Sequence, residues 1–252
     1  MRILWNNLVD ETGTLISPSS ADITAENIRT QNRRRIWRTA SKTNETLTID
    51  LGDPTIIVTC CAFTGYNLTA SANVLLECST DNVSYDTIAA QIVGTGKCVF
   101  FFFALQQKRF WRLTFNDPTN TDPHIEVGRV FLGQYLELAE NILPDWSFHY
   151  IDPSEVQYSI GRQKWTSQKP TIAQITFHFS HLKGNVAING FLNMVRRVGI
   201  QQDCFALLFP DKTQETHREA AGLYGRFVNI LGVVAPSQFI YDTQSVVFQE
   251  TP

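Results

Sequence analysis

Cysteine is scarce and poorly spaced for metal or disulfide chemistry. The five cysteines, Cys60, Cys61, Cys78, Cys98 and Cys204, are odd in number, and two are adjacent. No CxxC pair occurs, so neither a zinc site nor a disulfide framework is expected. The expected role is that of small buried hydrophobes in a reducing compartment. No apolar run reaches the roughly 18 residues of a membrane helix, and the opening Met1-Arg2-Ile3-Leu4-Trp5-Asn6-Asn7 has no stretch suited to a signal peptide. The sequons beginning at Asn44, Asn67 and Asn82 would matter only after secretion and are read as chance. A dominant charge is also missing. Lys and Arg number 21 and Asp and Glu 24, a formal charge of −3, so the balance gives no whole-protein electrostatic reason to bind nucleic acid.

Catalytic signatures are absent as well. There is no HExxH, no GxSxG and no GxxxxGK[ST]. His178 and His181 form HFSH, with His149 upstream, but positions three apart on a strand point to opposite faces and diverge. Gly94-Thr95-Gly96-Lys97 has the wrong spacing for a phosphate loop and reads as a hairpin turn. No catalytic residue, no metal ligand and no cofactor is expected, and no ligand-binding residue is assigned.

What is present is strand pattern. Of the 252 residues 43% are apolar and 18% charged, enough for cores and too apolar for a disordered chain. Residues 1–136 break into short apolar runs divided by turn residues. The runs are Thr46–Leu51, Ile56–Phe63, Asn73–Ser79, Cys98–Leu105 with its phenylalanines Phe100 to Phe103, Phe110–Phe115 and His124–Leu132. This spacing predicts an antiparallel β-sandwich or barrel. Side chains alternate along a strand, so two of the four phenylalanines enter the core and two need another cover.

Residues 137–146 read as a connector broken at Pro144, with Gly133–Leu138 able to extend the last strand. Residues 147–252 differ in kind. Strands are predicted at Thr171–Ser180, Cys204–Phe209, Leu223–Leu231 and Ser245–Gln249. A helix is predicted over about 186–198, with an apolar stripe of Ile188, Phe191, Leu192, Val195 and Val198 and a stop at Gly199. The fold class is mainly β: an N-terminal sandwich, then a smaller β-sandwich or split barrel with one helix.

Five of the 14 arginines, Arg29, Arg33, Arg34, Arg35 and Arg38, fall within ten residues, with Trp37 among them. Two readings stand. The guanidiniums could hold a polyanion with the indole as a stacking platform, or the arginines could pair with acidic groups of a neighbouring subunit. The second is favoured because the rest of the chain is slightly acidic. The other tryptophans, Trp5, Trp111, Trp146 and Trp165, read mainly as core or interface anchors.

Trp37, then Leu47-Thr48-Ile49-Asp50-Leu51-Gly52, Asn67–Ala72, Leu76–Asp81, Arg109-Phe110-Trp111-Arg112-Leu113 and Ile125–Val130 follow one another in an order that resembles the discoidin, or coagulation-factor C-type, branch of the galactose-binding-like jelly rolls. The resemblance covers about 35–133 and implies a jelly roll for 1–136. The family's terminal disulfide has no counterpart, since no cysteine precedes Cys60. The part after Trp146, including Ser159-Ile160-Gly161-Arg162, resembles the tube-like domains of long-tailed phage proteins. Together these imply a non-enzymatic structural component of a phage tail, at the tip or baseplate. Its second domain would form a homo-oligomeric ring, its partners would be other tail proteins, and its place the virion assembled in the host cytoplasm. The alternative is a carbohydrate-binding module attached to a larger assembly, with a glycan as partner. No membrane and no sequence-specific nucleic acid partner is expected.

Overall fold

A computed structural model describes residues 1–94, 96–137, 146–179, 185–210, 222–229, 232–237 and 240–251. The strands of the first part are β1 Arg2–Asn7, β2 Leu15–Pro18, β3 Trp37–Arg38, β4 Glu45–Asp50, β5 Ile57–Thr64, β6 Asn73–Ser79, β7 Asp86–Ile92, β8 Cys98–Gln107, β9 Phe110–Asn116, β10 Glu126–Val127 and β11 Arg129–Glu137. There follow β12 Ser147–Ile151, β13 Glu155–Tyr158, β14 Lys164–Ser167, β15 Ile172–Phe177, α1 Asn185–Val198, β16 Cys204–Leu207, β17 Gly222–Phe227, β18 Val233–Ser237, β19 Ile240–Thr243 and β20 Val246–Glu250. The protein is mainly β, as its sequence pattern requires.

The chain forms two compact units. One comprises Arg2–Leu136 with Phe205–Gly222; the other holds Glu137–Cys204 and Leu223–Pro252. The sequence pattern groups 205–222 with the second part, whereas strand pairing joins Phe205, Ala206 and Leu207 to Leu4, Ile3 and Arg2. Most of the expected connector, including Pro144, lies outside the described residues.

The first unit is an antiparallel sandwich. One layer is the five-stranded sheet β2-β4-β9-β6-β7; the other runs β16-β1-β11-β5-β8. Period-two sequence places its apolar side chains between the layers. Leu47 and Ile49 of β4 lie opposite Leu113 and Trp111 of β9, and all four are buried. Phe115 makes edge-on contacts with Phe63 and Trp37 at centroid distances of 5.5 and 5.9 Å. Each such buried ring is worth roughly 1.5–3 kcal/mol of transfer free energy. Trp111 faces inward, and its Nε1 donates to the Lys108 carbonyl at 3.0 Å.

The phenylalanine run divides as its alternation demands. Phe101 is in the core, and Phe103 stacks on Trp111 at 5.5 Å. Phe100 and Phe102 face the other way, where Phe205 meets Phe100 at 5.9 Å, and Tyr135 and the Arg2 guanidinium cover Phe102.

Two readings of connectivity are corrected. The stretch His124–Leu132 is not one strand, because Gly128 separates β10, which pairs with β3, from β11, which pairs with β5. Gly94 to Lys97 is not a hairpin turn: it joins β7 and β8, which lie in different sheets, so it crosses between layers.

In the second unit the described residues form a sheet in the order β12-β15-β20-β17, a β13–β14 hairpin, a β18–β19 hairpin and α1. Ile175 and Phe177 of β15 are buried together with Phe179. The stripe of α1 differs from expectation. Phe191, Met194 and Val198 are buried while Leu192 is exposed, so the inward face runs at i, i+3 and i+7 through Met194. Phe191 packs edge-on against Phe179 at 6.2 Å. Gly199 ends the helix, its N–H donating to the Val195 carbonyl at 2.9 Å.

Candidate functional site

The loops at one end of the sandwich converge on Asn67, which follows β5. Its Nδ2 donates to Asp122 Oδ2 at 3.0 Å and to the His124 carbonyl at 3.1 Å, while its Oδ1 accepts the Glu126 N–H at 2.8 Å. Its own carbonyl accepts from Asn120 Nδ2 at 3.1 Å. One short amide side chain therefore staples the 117–125 loop to the end of β5.

Beneath it, Asp117 is fully buried and fully engaged. It accepts Thr69 N–H and Thr69 Oγ1, each at 2.7 Å, and Thr119 Oγ1 at 3.1 Å. Lys42 Nζ donates to the Asn120 carbonyl at 2.8 Å, and Thr39 Oγ1 accepts the Ile125 N–H at 2.8 Å. Loops held this way present their side chains without a further ordering cost.

Above this base lies a half-buried polar array. Glu126 Oε1 accepts from Arg38 Nε at 3.0 Å and Arg38 Nη2 at 2.6 Å, and it lies 3.2 Å from His124 Nε2. The pairing of β3 with β10 sets this geometry, because Arg38 and Glu126 are register partners. Three positions in the array have no partner among the described residues: Glu126 Oε2, Arg38 Nη1 and His124 Nδ1. The second imidazole nitrogen, His124 Nδ1, donates or accepts according to the tautomer. The array thus presents a free acceptor, a free donor and an imidazole nitrogen side by side. Tyr66, half-buried beside it, packs its ring on Phe63 at 5.4 Å and donates its hydroxyl to the Gly96 carbonyl.

The arginine-rich segment borders the array. Arg33's backbone lies so close to Gly65 and Gly128 that a Cβ on Gly128 would stand 2.0 Å from the Arg33 carbonyl oxygen. Gly65 has φ +71°, and a Cβ there would meet the same oxygen at 2.8 Å. These two glycines, each two residues from Asn67 or Glu126, let the loop seat against the sandwich. Asn27 Nδ2 donates to the Ile36 carbonyl at 2.9 Å, and the Arg35 N–H donates to the Asn32 carbonyl at 2.9 Å, closing the loop.

The two readings of the arginines are both revised. Arg29 pairs with Glu26 at 2.9 Å and Arg38 with Glu126, so these partners lie in the same chain. Trp37 is no stacking platform: it is fully buried, and its Nε1 donates to the Ser20 carbonyl. Arg34 and Arg35 are exposed and have no ion pair among the described residues.

Other residues singled out in the sequence lie elsewhere. His149, on β12, has Nε2 3.0 Å from Gln174 Nε2; His178 follows β15; His181 lies outside the described residues. Among the described residues no three His, Cys, Asp or Glu side chains gather to hold a metal. Cys60, Cys61, Cys78 and Cys204 are buried, and burial pushes the Cys60, Cys61 and Cys204 thiols well up, away from the nucleophilic thiolate. Trp165 is exposed on β14.

Asn67, His124 and Glu126 were not singled out in the sequence for ligand contact. The Asn67 sequon was read as chance, and nothing in one dimension places these residues beside Arg38.

No known protein family and no curated protein matches the chain. Among solved structures, it is similar to CpGH89CBM32-6 produced by Clostridium perfringens, at 17% identity over 51% of this chain and 99% of that one, with a TM-score of 0.45. It is also similar to CpGH89CBM32-5 from the same organism, in complex with GalNAc-β-1,3-galactose, at 12% identity over 51% and 100%, TM-score 0.44. A third is chitosan-binding module 2 of a chitosanase/glucanase from Paenibacillus sp. IK-5, in complex with chitotriose, at 18% identity over 51% and 100%, TM-score 0.42. Such low identities and scores add nothing to what the side chains themselves say.

Proposed function

We propose that this chain is a carbohydrate-binding protein without catalytic activity, whose sandwich loops hold a glycan through its hydroxyl groups. One observation carries the reading: Arg38, Glu126 and His124 hold one another in place while keeping Nη1, Oε2 and Nδ1 unspent. Each sugar hydroxyl donates one hydrogen bond and accepts others, so two neighbouring hydroxyls match a carboxylate oxygen beside a guanidinium N–H. The cross-links through Asn67 and Asp117 keep these atoms in position before a ligand arrives. A polar array on a rigid scaffold of this kind fixes ligand orientation.

This alternative is preferred to the phage-tail reading because the polar array of Arg38, Glu126 and His124 supports it directly. What supports an attachment role for the second unit is its β13–β14 hairpin. Val156, Tyr158, Ile160 and Trp165 are all exposed there, an apolar surface suited to a protein partner.

The test is calorimetric titration with galactose, N-acetylgalactosamine and chitotriose, backed by a glycan array. Wild-type protein should bind a glycan. Glu126→Gln should weaken binding by about tenfold, as expected for losing a charge-assisted hydrogen bond, with the melting temperature nearly unchanged. Failure to bind any neutral or acidic glycan would overturn the reading.

A further inference from the structure

We propose that the glycan carries an acid group, a carboxylate or a sulfate, and that Arg34 and Arg35 bind it. This rests on the glycan reading of the neighbouring array and names its ligand class. Of the five clustered arginines, Arg29 and Arg38 are spent on Glu26 and Glu126, whereas Arg34 and Arg35 are exposed and unpaired among the described residues.

Their loop is not a loose tail. Asn27 holds its far end, Asn32 Oδ1 accepts the Arg34 N–H at 3.0 Å, and Gly65 and Gly128 seat the Arg33 backbone. Those glycines stand two residues from Asn67 and Glu126, so the backbone of the loop that carries Arg34 and Arg35 seats against the strand ends that flank the array. Like charges on adjacent residues repel, and a site that keeps both unpaired is suited to an anion. A planar guanidinium meets a carboxylate or sulfate through paired N–H donors.

A long polyanion fits less well. The chain's formal charge of −3 repels it beyond this loop, and the one indole in the segment is buried, leaving no platform for stacked bases. Two exposed cations beside a hydroxyl-binding array suit one acid group on a sugar.

The experiment titrates the full chain with trigalacturonate, a sulfated galactan oligosaccharide, neutral galactotriose and a single-stranded oligonucleotide. Wild-type protein, R34Q/R35Q and E126Q are compared at low and moderate salt. The wild type should bind one or both acidic sugars about tenfold tighter than the neutral one. R34Q/R35Q should erase that preference and leave neutral binding within about twofold, while E126Q should weaken all the sugars. Trigalacturonate and the sulfated sugar distinguish the two acid sources, and preference for either supports the proposal. Equal binding of acidic and neutral sugars overturns it and leaves the glycan reading intact. Binding of no sugar overturns both. Oligonucleotide binding as tight as that of the acidic sugars, lost in R34Q/R35Q and kept in E126Q, would show a general polyanion contact and overturn it.

Discussion

The sandwich and the second unit hold their strands in contrasting ways. In the sandwich, β4 and β9 alternate strictly between buried and half-buried positions, and their polar ends are tied down by side-chain hydrogen bonds. In the second unit, β13 and β14 pair with each other in register, yet every residue of both is exposed. A two-stranded ribbon open on both faces is only marginally stable in water. The same backbone pairing thus serves two ends. Where layers cover it, it supports a rigid binding surface; where nothing among the described residues covers it, it offers apolar side chains to a partner.

The contrast breaks most sharply in the cores. Trp111→Ala in the sandwich should cost about 3–5 kcal/mol, and Phe191→Asp should bury an unpaired charge at a cost of about 4 kcal/mol or more. Denaturant unfolding followed by glycan binding separates them. Trp111→Ala should abolish binding, and Phe191→Asp should leave it if the units unfold independently. Loss of binding in both would show that the units fold as one.

A smaller effect lies in the ion pair between buried Arg129 and the more exposed Asp10. Arg129 is 2% exposed and donates to both Asp10 carboxylate oxygens and to the Ile28 carbonyl. Asp10→Ala removes two charge-assisted hydrogen bonds from the buried guanidinium and should cost about 2 kcal/mol in urea unfolding. A change below about 0.5 kcal/mol would mean that water reaches the site.

Acid should sharpen the comparison next. Burial works to raise the Glu45 carboxyl, but hydrogen bonds from Ser19, Ser20 and Ser41 outweigh it and hold the group below its usual range. The Arg109 guanidinium likewise holds Asp50 down. A carboxyl lowered by folding stabilises the fold above its unfolded value, about 4, and that contribution fades as pH falls through the folded value. The sandwich should therefore lose stability below about pH 4, and Glu45→Gln should flatten that part of the profile. An unaltered profile in the variant would refute Glu45's share.

The smallest effect belongs to the exposed hairpin. Trp165→Ser should shift stability by less than about 0.5 kcal/mol, because the ring is 66% exposed. Light scattering should nevertheless show any self-association of the chain weakened. Association unchanged by the variant would remove this hairpin from the interface.

Much of the sandwich was legible because alternation is a local property. Leu47 and Ile49 announce a shared face by spacing alone, and the phenylalanine run had to divide between two covers, whereas the face of Trp111 is set only by its register with β4. Short strands were not legible. β3, β13 and β14 are too short for a period to emerge, and β7 carries Ile88, Ala89, Ala90 and Ile92 without strict alternation and has no fully buried residue at all. The helix was located correctly, but its stripe was misread through Leu192. Spacing admits both Leu192 and Met194, and only packing against Phe179 selects the face.

The sequence by itself determined the mainly β class, the short alternating strands of the first unit and the burial of most of its thiols. These follow from side-chain periodicity and hydrophobicity, which need no knowledge of the partner strand. Only the tertiary structure decided that Arg38 stands across from Glu126, 88 residues away. It also decided that Asn67 ties Glu126 to the 117–125 loop, that Trp37 is sealed inside, and that Phe205 covers the outer face of β8. Those facts depend on strand register and on which loops meet at one end of a sandwich, and long-range pairing of that kind leaves no local trace in the order of residues.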